Sequence, residues 1–183
     1  MPKLTFSFFL IPAILPLLLS ASLKELLSQQ KYSQALQHLK TTSPQGPEDK
    51  IIAAKVYLKM GLFKKCLEIS NSLPVELSVN HTYQISFIKA QYSLQMADYK
   101  ACIQLLETLS TSPSSEHQKV NFYKLRAQLH STLANYSEAR NDLELAMKLP
   151  HLAPIDHAIL LSNMAFLMQK TGHYKESLIL FRQ

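Results

Sequence analysis

The sequence predicts an all-α protein built from about five antiparallel helix pairs. The first observation is an aromatic residue that recurs at intervals of 31, 36, 37 and 38 residues. The second is a set of small residues at fixed distances from each aromatic. The third is a glycine content of only 3 in 183 residues, which disfavours a sheet-rich fold with many tight turns. Repetition at this period is typical of stacked helix pairs.

The recurring residues place the closest contacts of each pair. The aromatics, which follow short turns, are Tyr32, Phe63, Tyr99, Tyr136 and Tyr174. The small residues three positions later are Ala35, Cys66, Cys102, Ala139 and Ser177. The alanines nine positions before the last four aromatics are Ala54, Ala90, Ala127 and Ala165. Small side chains are expected where two helix axes approach to about 8–10 Å.

The turn inside each pair carries its own signal. Two positions before the last four aromatics stand Gly61, Ala97, Ala134 and Gly172. A small residue tolerates the left-handed conformation that ends many helices, so each helix is expected to stop there.

The helix boundaries follow in order from these turns and from the prolines. The predicted pairs are residues 22–29 with 32–40, 48–59 with 63–72, 79–95 with 99–109, 115–132 with 136–149, and 154–170 with 174 to the end. The second pair ends before Pro74. The linkers at residues 111–116 and 150–156 combine Pro with Ser, Asp or His, which break a helix and restart it.

This register resembles the tetratricopeptide repeat, a helix pair of 34 residues. Residues 120–150 fit best, through Tyr123, Ala127, Tyr136, Ala139, Leu143, Ala146 and Pro150. The resemblance implies an alpha-solenoid over residues 23–183, with units at about 22–43, 47–74, 78–112, 115–150 and 154–183. The chain departs from the family in its longer spacings and in having no tryptophan.

Residues 1–22 have the layout of a secretory signal peptide. A basic start precedes an uncharged run from Leu4 to Leu19, and Ser20-Ala21-Ser22 supplies small residues for cleavage before Leu23. We expect an exported protein, periplasmic or secreted. The alternative is a retained signal anchor, although the 16-residue run is short for a membrane span and contains Pro12 and Pro16.

The sequence offers little for catalysis. The net charge of +6 is spread without a block of like charges, which favours an ordinary helical surface over a nucleic-acid or lipid site. Cys66 and Cys102 occupy the small-residue position and are expected to be core residues rather than a disulfide. The seven histidines show no metal-ligand spacing. We therefore expect no enzyme activity, no metal and no cofactor.

The resemblance places a ligand groove on the inner face of the first helices. The candidates for this peptide groove are polar or basic, with one aromatic: Lys55, Lys59, Gln91, Gln95, Lys124, Gln128, Asn163, Phe166 and Lys170. An acidic segment or a C-terminal carboxylate is the expected ligand. Lys124 and Asn163 match two positions of the carboxylate clamp of some family members, and Gln128 stands where they have Asn.

The prediction is therefore a scaffold or adaptor that binds another protein or peptide, without nucleic acid or a small-molecule substrate. Two alternatives remain: a structural or membrane-anchored subunit, and the N-terminal repeat region of a longer protein. The sequence stops inside a predicted helix, so Leu178, Ile179 and Phe181 are expected to lack a covering repeat. A fragment of a longer array, or docking on a partner or a second copy, would account for this.

Overall fold

A computed structural model describes residues 23–74, 76–111 and 115–182, and all regular secondary structure within these ranges is helical. The chain divides between Lys89 and Ala90 into two compact units. The predicted signal segment, residues 1–22, lies outside the described residues.

The first unit contains four helices and the beginning of a fifth. They are residues 23–28 (α1), Tyr32–Thr41 (α2), Pro47–Lys59 (α3), Phe63–Asn71 (α4) and the first part of Val79–Gln95 (α5). Pro47 opens α3, where the missing N–H costs nothing. The core of α1–α3 is formed by Leu23, Ala35, Leu39, Ile52, Ala53 and Val56.

The second unit contains the end of α5 and five further helices. They are Tyr99–Ser110 (α6), Glu116–Thr132 (α7), Tyr136–Met147 (α8), Pro154–Lys170 (α9) and Tyr174–Leu180 (α10). Ser115 caps α7 by accepting a hydrogen bond from the Gln118 amide at 3.2 Å. One core joins α7, α8 and α9 through Val120, Ala127, Ala139, Leu143, Ala146, Leu160, Met164, Leu167 and Met168.

The predicted burial of the small residues is confirmed. All nine small residues at the two recurring positions are at most 4% exposed. Cys66 and Cys102 are buried and free. Larger side chains there would push the helices apart, which is why the sequence keeps these positions small.

The predicted turns are confirmed as well. Gly61, Ala97, Ala134 and Gly172 all have positive φ, between 58° and 84°. At Ala134, the next amide, that of Asn135, donates to the carbonyl of His130 at 2.9 Å, which closes the end of α7. The largest differences from the prediction are at α10, which ends at Leu180 rather than continuing to the end of the sequence, and at α8, which ends at Met147 rather than at residue 149. There the Leu149 amide bonds the nearer carbonyl of Ala146, at 3.2 Å, in a tightened final turn.

Candidate functional site

In the first unit, the inner-face candidates are Lys55 and Lys59. The Lys55 ammonium donates to Gln84 Oε1 at 2.7 Å and is half-buried. Burial, and then the neighbouring Lys24, lower the pKa of Lys55, while Glu48 opposes the shift. Lys59 is exposed in the last turn of α3. Lys59 is therefore the more available of the two for a ligand.

In the second unit, Lys124 is held by an internal ion pair. Its ammonium lies 3.3 Å from Asp156 Oδ1, and His117 Nδ1 lies 3.7 Å from Asp156 Oδ2. Asp156 is buried in the first turn of α9, where a carboxylate also interacts favourably with the helix dipole. Sequence reasoning selected Lys124 but missed Asp156, which is 32 residues away.

The other predicted residues of the second unit differ in exposure. Gln91 in α5 is half-buried, whereas Gln128 in α7 and Asn163 in α9 are exposed. The Lys170 ammonium lies 5.4 Å from the centre of the Phe166 ring. The predicted groove residues thus divide between the two units, and their membership of one groove stays a prediction.

One face of α9, the face predicted to line the groove, presents an apolar strip to solvent. Ile155, Ile159 and Phe166 are 64%, 36% and 55% exposed. Their spacing of four and seven residues puts them along one side of the helix, with Asn163 and Lys170 beside them. We call Ile155, Ile159 and Phe166 the α9 strip. The sequence feature that could have revealed this strip is that α9 carries apolar residues on two faces. Leu160, Met164 and Leu167 lie on the opposite face and pack into the core.

An ion pair between the half-buried Arg126 and the buried Asp142 joins α7 to α8. Arg126 Nε donates to the two carboxylate oxygens of Asp142 at 3.0 and 2.9 Å, and His130 Nε2 lies 3.9 Å from the same carboxylate. The guanidinium also lies over the rings of Phe122 and Tyr123, at 5.0 and 5.5 Å. The hydrogen bond to Asp142 raises the pKa of Arg126. The sequence does not reveal this cluster, because partners 16 residues apart leave no periodic signal.

Arg126 and His130 also line a small pocket between α6 and α7. Its volume is about 230 Å³. The walls are mainly apolar, with polar groups at the edge: Ile103, Leu106, Glu107, Ser110, Phe122, Arg126, Leu129 and His130. The pocket is open and could admit one or two side chains.

Among the described residues, no group of three histidine, cysteine or acidic side chains could hold a metal ion. Burial raises the pKa of the Cys66 thiol and raises that of Cys102 to about 11. Both thiols are therefore protonated at neutral pH, which makes them poor nucleophiles. In the described part of the chain, no helix combines the length and apolar character needed to span a bilayer.

The arrangement of helix pairs matches three solved proteins. A signal-transduction ATPase with a tetratricopeptide-repeat sensor, from Pyrococcus horikoshii, gives a TM-score of 0.72 at 14% identity, over 96% of this chain and 28% of that one. A tetratricopeptide-repeat protein of Thermus thermophilus gives 0.62 at 19% identity, over 90% of this chain and 87% of that one. The chain has the tetratricopeptide-repeat fold.

A mutant of MamA matches this tetratricopeptide-repeat chain with a TM-score of 0.53 at 15% identity, over 93% of this chain and 96% of that one. The chain spans only 28% of the ATPase. No protein-family model matches the sequence, and no curated protein does. At these identities the likeness establishes the fold, so a function has to be argued from the surface.

Proposed function

We propose that this chain is a non-catalytic scaffold that binds a segment of another protein through the inner faces of its first helices. The observation that carries the proposal is the α9 strip, since three large apolar side chains exposed along one helix face mark an interaction surface. The tetratricopeptide-repeat fold supports it, because stacked helix pairs commonly present extended binding surfaces.

The strip can supply useful binding energy. Complete burial of a large apolar side chain contributes about 1.5–3 kcal/mol. Because the three residues are about half exposed, covering them contributes about 3 kcal/mol in total, before the costs of ordering the ligand. A contribution of this size is enough for the α9 strip to anchor a ligand, while the neighbouring polar residues determine which ligand binds.

We further propose that the ligand is acidic. Lys170 lies beside the α9 strip and is exposed, so a carboxylate next to the ligand's apolar residues would meet it. Lys124 is less suited, because a C-terminal carboxylate would have to share it with Asp156. We therefore place the basic contribution of the second unit at Lys170.

Export is also proposed, and it rests on the sequence of residues 1–22. Mass spectrometry of the native N-terminus tests this, with Leu23 as the expected first residue. An intact N-terminus in a membrane fraction would contradict export and support the membrane-anchored subunit. The third arrangement, a repeat region within a longer protein, has a parallel in the ATPase, whose tetratricopeptide repeats form its sensor.

The binding proposal is tested by quantitative capture from an extract of the source cells on the immobilised chain. We expect Phe166→Ser to reduce recovery of the bound proteins at least tenfold, because it removes the largest side chain of the α9 strip. Lys170→Glu should reduce it less, and only for acidic ligands. Far-UV circular dichroism should show unchanged helix content in both variants.

The matched control is Met96→Ser, which removes an exposed apolar side chain from the turn between α5 and α6. It should leave capture unchanged. If the folded Phe166→Ser variant recovered the same proteins in the same amounts as wild type, the α9 strip would not be part of the binding site. Equal losses with Met96→Ser would indicate nonspecific hydrophobic adsorption instead.

A further inference from the structure

The pocket between α6 and α7 is separate from the surface to which binding is assigned above. It lies within the second unit, and α7 contributes Phe122, Arg126, Leu129 and His130 to it. Phe122, Arg126 and His130 follow one another at intervals of four residues, so they share one side of α7. Lys124 precedes Arg126 by two residues, which turns it toward a different side of the helix. We call this site the α6/α7 pocket.

The size and walls of the α6/α7 pocket fit one aromatic side chain. Its volume of about 230 Å³ is below the roughly 300–1,000 Å³ of most small-molecule sites. Leu106 and Leu129 are buried and form apolar walls, while Ile103 is 40% exposed and accessible to a ligand. Phe122 adds an aromatic ring, which favours contact with a second ring.

Two polar groups in the α6/α7 pocket can form hydrogen bonds with a ligand. The guanidinium of Arg126 has five N–H donors, and its bonds to Asp142 use only Nε and Nη2. Donors therefore remain for a ligand. His130 Nδ1 is buried and has no hydrogen-bond partner among the described residues. Because an unpaired buried polar atom is destabilising, a ligand group that bonds this nitrogen would be favoured.

The charges around the α6/α7 pocket favour a neutral ligand. The Asp142 carboxylate already pairs with Arg126, and Glu107 adds a second negative charge at the edge. A carboxylate on the ligand would face two carboxylates and one guanidinium, which is unfavourable. A phenol hydroxyl is neutral, and it both donates and accepts, so it can pair with His130 in either tautomer. A phenylalanine ring would leave both polar groups without a partner.

We propose that the α6/α7 pocket binds a tyrosine side chain of a partner protein. The ring packs against Ile103, Leu106 and Leu129. Its hydroxyl accepts a hydrogen bond from Arg126 and bonds His130 Nδ1. The pocket is open, so the backbone of the bound segment stays at the surface. This neutral aromatic contact differs from the acidic ligand proposed for Lys170 and the α9 strip.

The test uses three blocked tripeptides with alanine on either side of the test residue, which is tyrosine, phenylalanine or p-carboxyphenylalanine. Binding to the full chain is followed by NMR through the methyl signals of Leu106 and Leu129. We expect saturable shifts, with the tyrosine peptide bound at least fivefold more tightly than either of the others. Equal affinities for the tyrosine and phenylalanine peptides, or tighter binding of the carboxylate peptide, would overturn the proposal.

Two exposed apolar residues locate the binding site. Ile103→Glu should weaken binding of the tyrosine peptide at least tenfold, because it puts a charge on an apolar wall. Leu67→Glu is the matched control, since Leu67 also stands four residues after its aromatic and is 37% exposed. It should leave binding unchanged, and so should Phe166→Ser, which separates this proposal from the proposed function. Equal losses with Ile103→Glu and Leu67→Glu would overturn the assignment to the α6/α7 pocket.

Two further variants test the polar groups. Arg126→Met combined with Asp142→Leu removes both charges together, and the two peptides with tyrosine and phenylalanine should then bind equally tightly. His130→Leu leaves the ion pair intact and should reduce the preference for tyrosine at least twofold. Circular dichroism checks that the helix content of each variant is retained. A full preference for tyrosine in folded His130→Leu and in the folded double variant would overturn the proposal.

Free p-cresol distinguishes a protein partner from a small phenol. It has the ring and hydroxyl of tyrosine without a peptide backbone. We expect the tyrosine peptide to bind at least as tightly as p-cresol, measured through the same methyl signals. Binding of p-cresol without detectable binding of the peptide would overturn the proposal and assign the α6/α7 pocket to a small phenolic compound.

Discussion

The helix pairs α7/α8 and α9/α10 share the same repeat pattern, but two equivalent positions are charged in the first pair and apolar in the second. Arg126 stands ten residues before its aromatic and Asp142 six residues after it. At the same distances from Tyr174 stand Met164 and Leu180. The first pair holds the Arg126–Asp142 ion pair there, and the second holds Met164 in the core with the partly buried Leu180 packed against that core. The fold therefore accepts either solution.

The ion pair of α7/α8 is not needed to hold the helices together. A buried charge pair is weak evidence for stability, because removing both charges from water offsets much of their attraction. Since Met164 and Leu180 occupy the same position without charges, the fold does not require Arg126 and Asp142. Their distinctive effect is to bring Arg126 to the wall of the pocket between α6 and α7.

The largest expected effect comes from breaking this ion pair on one side. Arg126→Met leaves the Asp142 carboxylate buried without its guanidinium, so we expect the free energy of unfolding to fall by about 3 kcal/mol. Arg126→Met combined with Asp142→Leu copies the α9/α10 solution and should recover the parent stability to within about 1 kcal/mol. Urea unfolding followed by circular dichroism measures both.

Arg140→Met provides the surface control. Arg140 forms an exposed ion pair with Glu144, its neighbour one turn away, at 2.9 Å, and its loss should cost about 0.5 kcal/mol or less. If Arg126→Met cost no more than this control, the pair would be as weak as a surface pair. If the double variant were as unstable as the single one, α7/α8 would need the charges that α9/α10 does without.

The predicted inner faces of α7 and α9 show the same contrast. This face of α7 is polar, and one of its charges is already neutralised inside the protein, because Lys124 forms an ion pair with Asp156. The corresponding position on α9, twelve residues before the aromatic, is the exposed Ser162, and the α9 strip beside it is apolar. Two adjacent helices with the same packing thus offer different chemistry to a ligand.

The comparison explains how far the sequence could lead. The buried positions were predictable because close helix packing admits only small residues at Ala127 and Ala139, and this constraint recurs in every pair. The pairing of Lys124 was not, because its partner Asp156 lies in another repeat. Ile155 and Ile159 were missed for a related reason: an apolar residue on a helix is expected to face the core, and α9 has two apolar faces.

The smallest expected effect lies in the turns of the same two pairs. Ala134 ends α7 with φ of 60°, and Gly172 ends α9 with φ of 84°. A side chain strains this left-handed backbone, while glycine adopts it freely. A Cβ added at Gly172 meets nothing within 4 Å, so backbone conformation alone decides the outcome. Ala134→Gly should therefore raise the free energy of unfolding by about 0.5 kcal/mol, and Gly172→Ala should lower it by about 1 kcal/mol. Urea unfolding of the two variants checks this, and shifts of the same sign would show that the two turns do not share one backbone requirement.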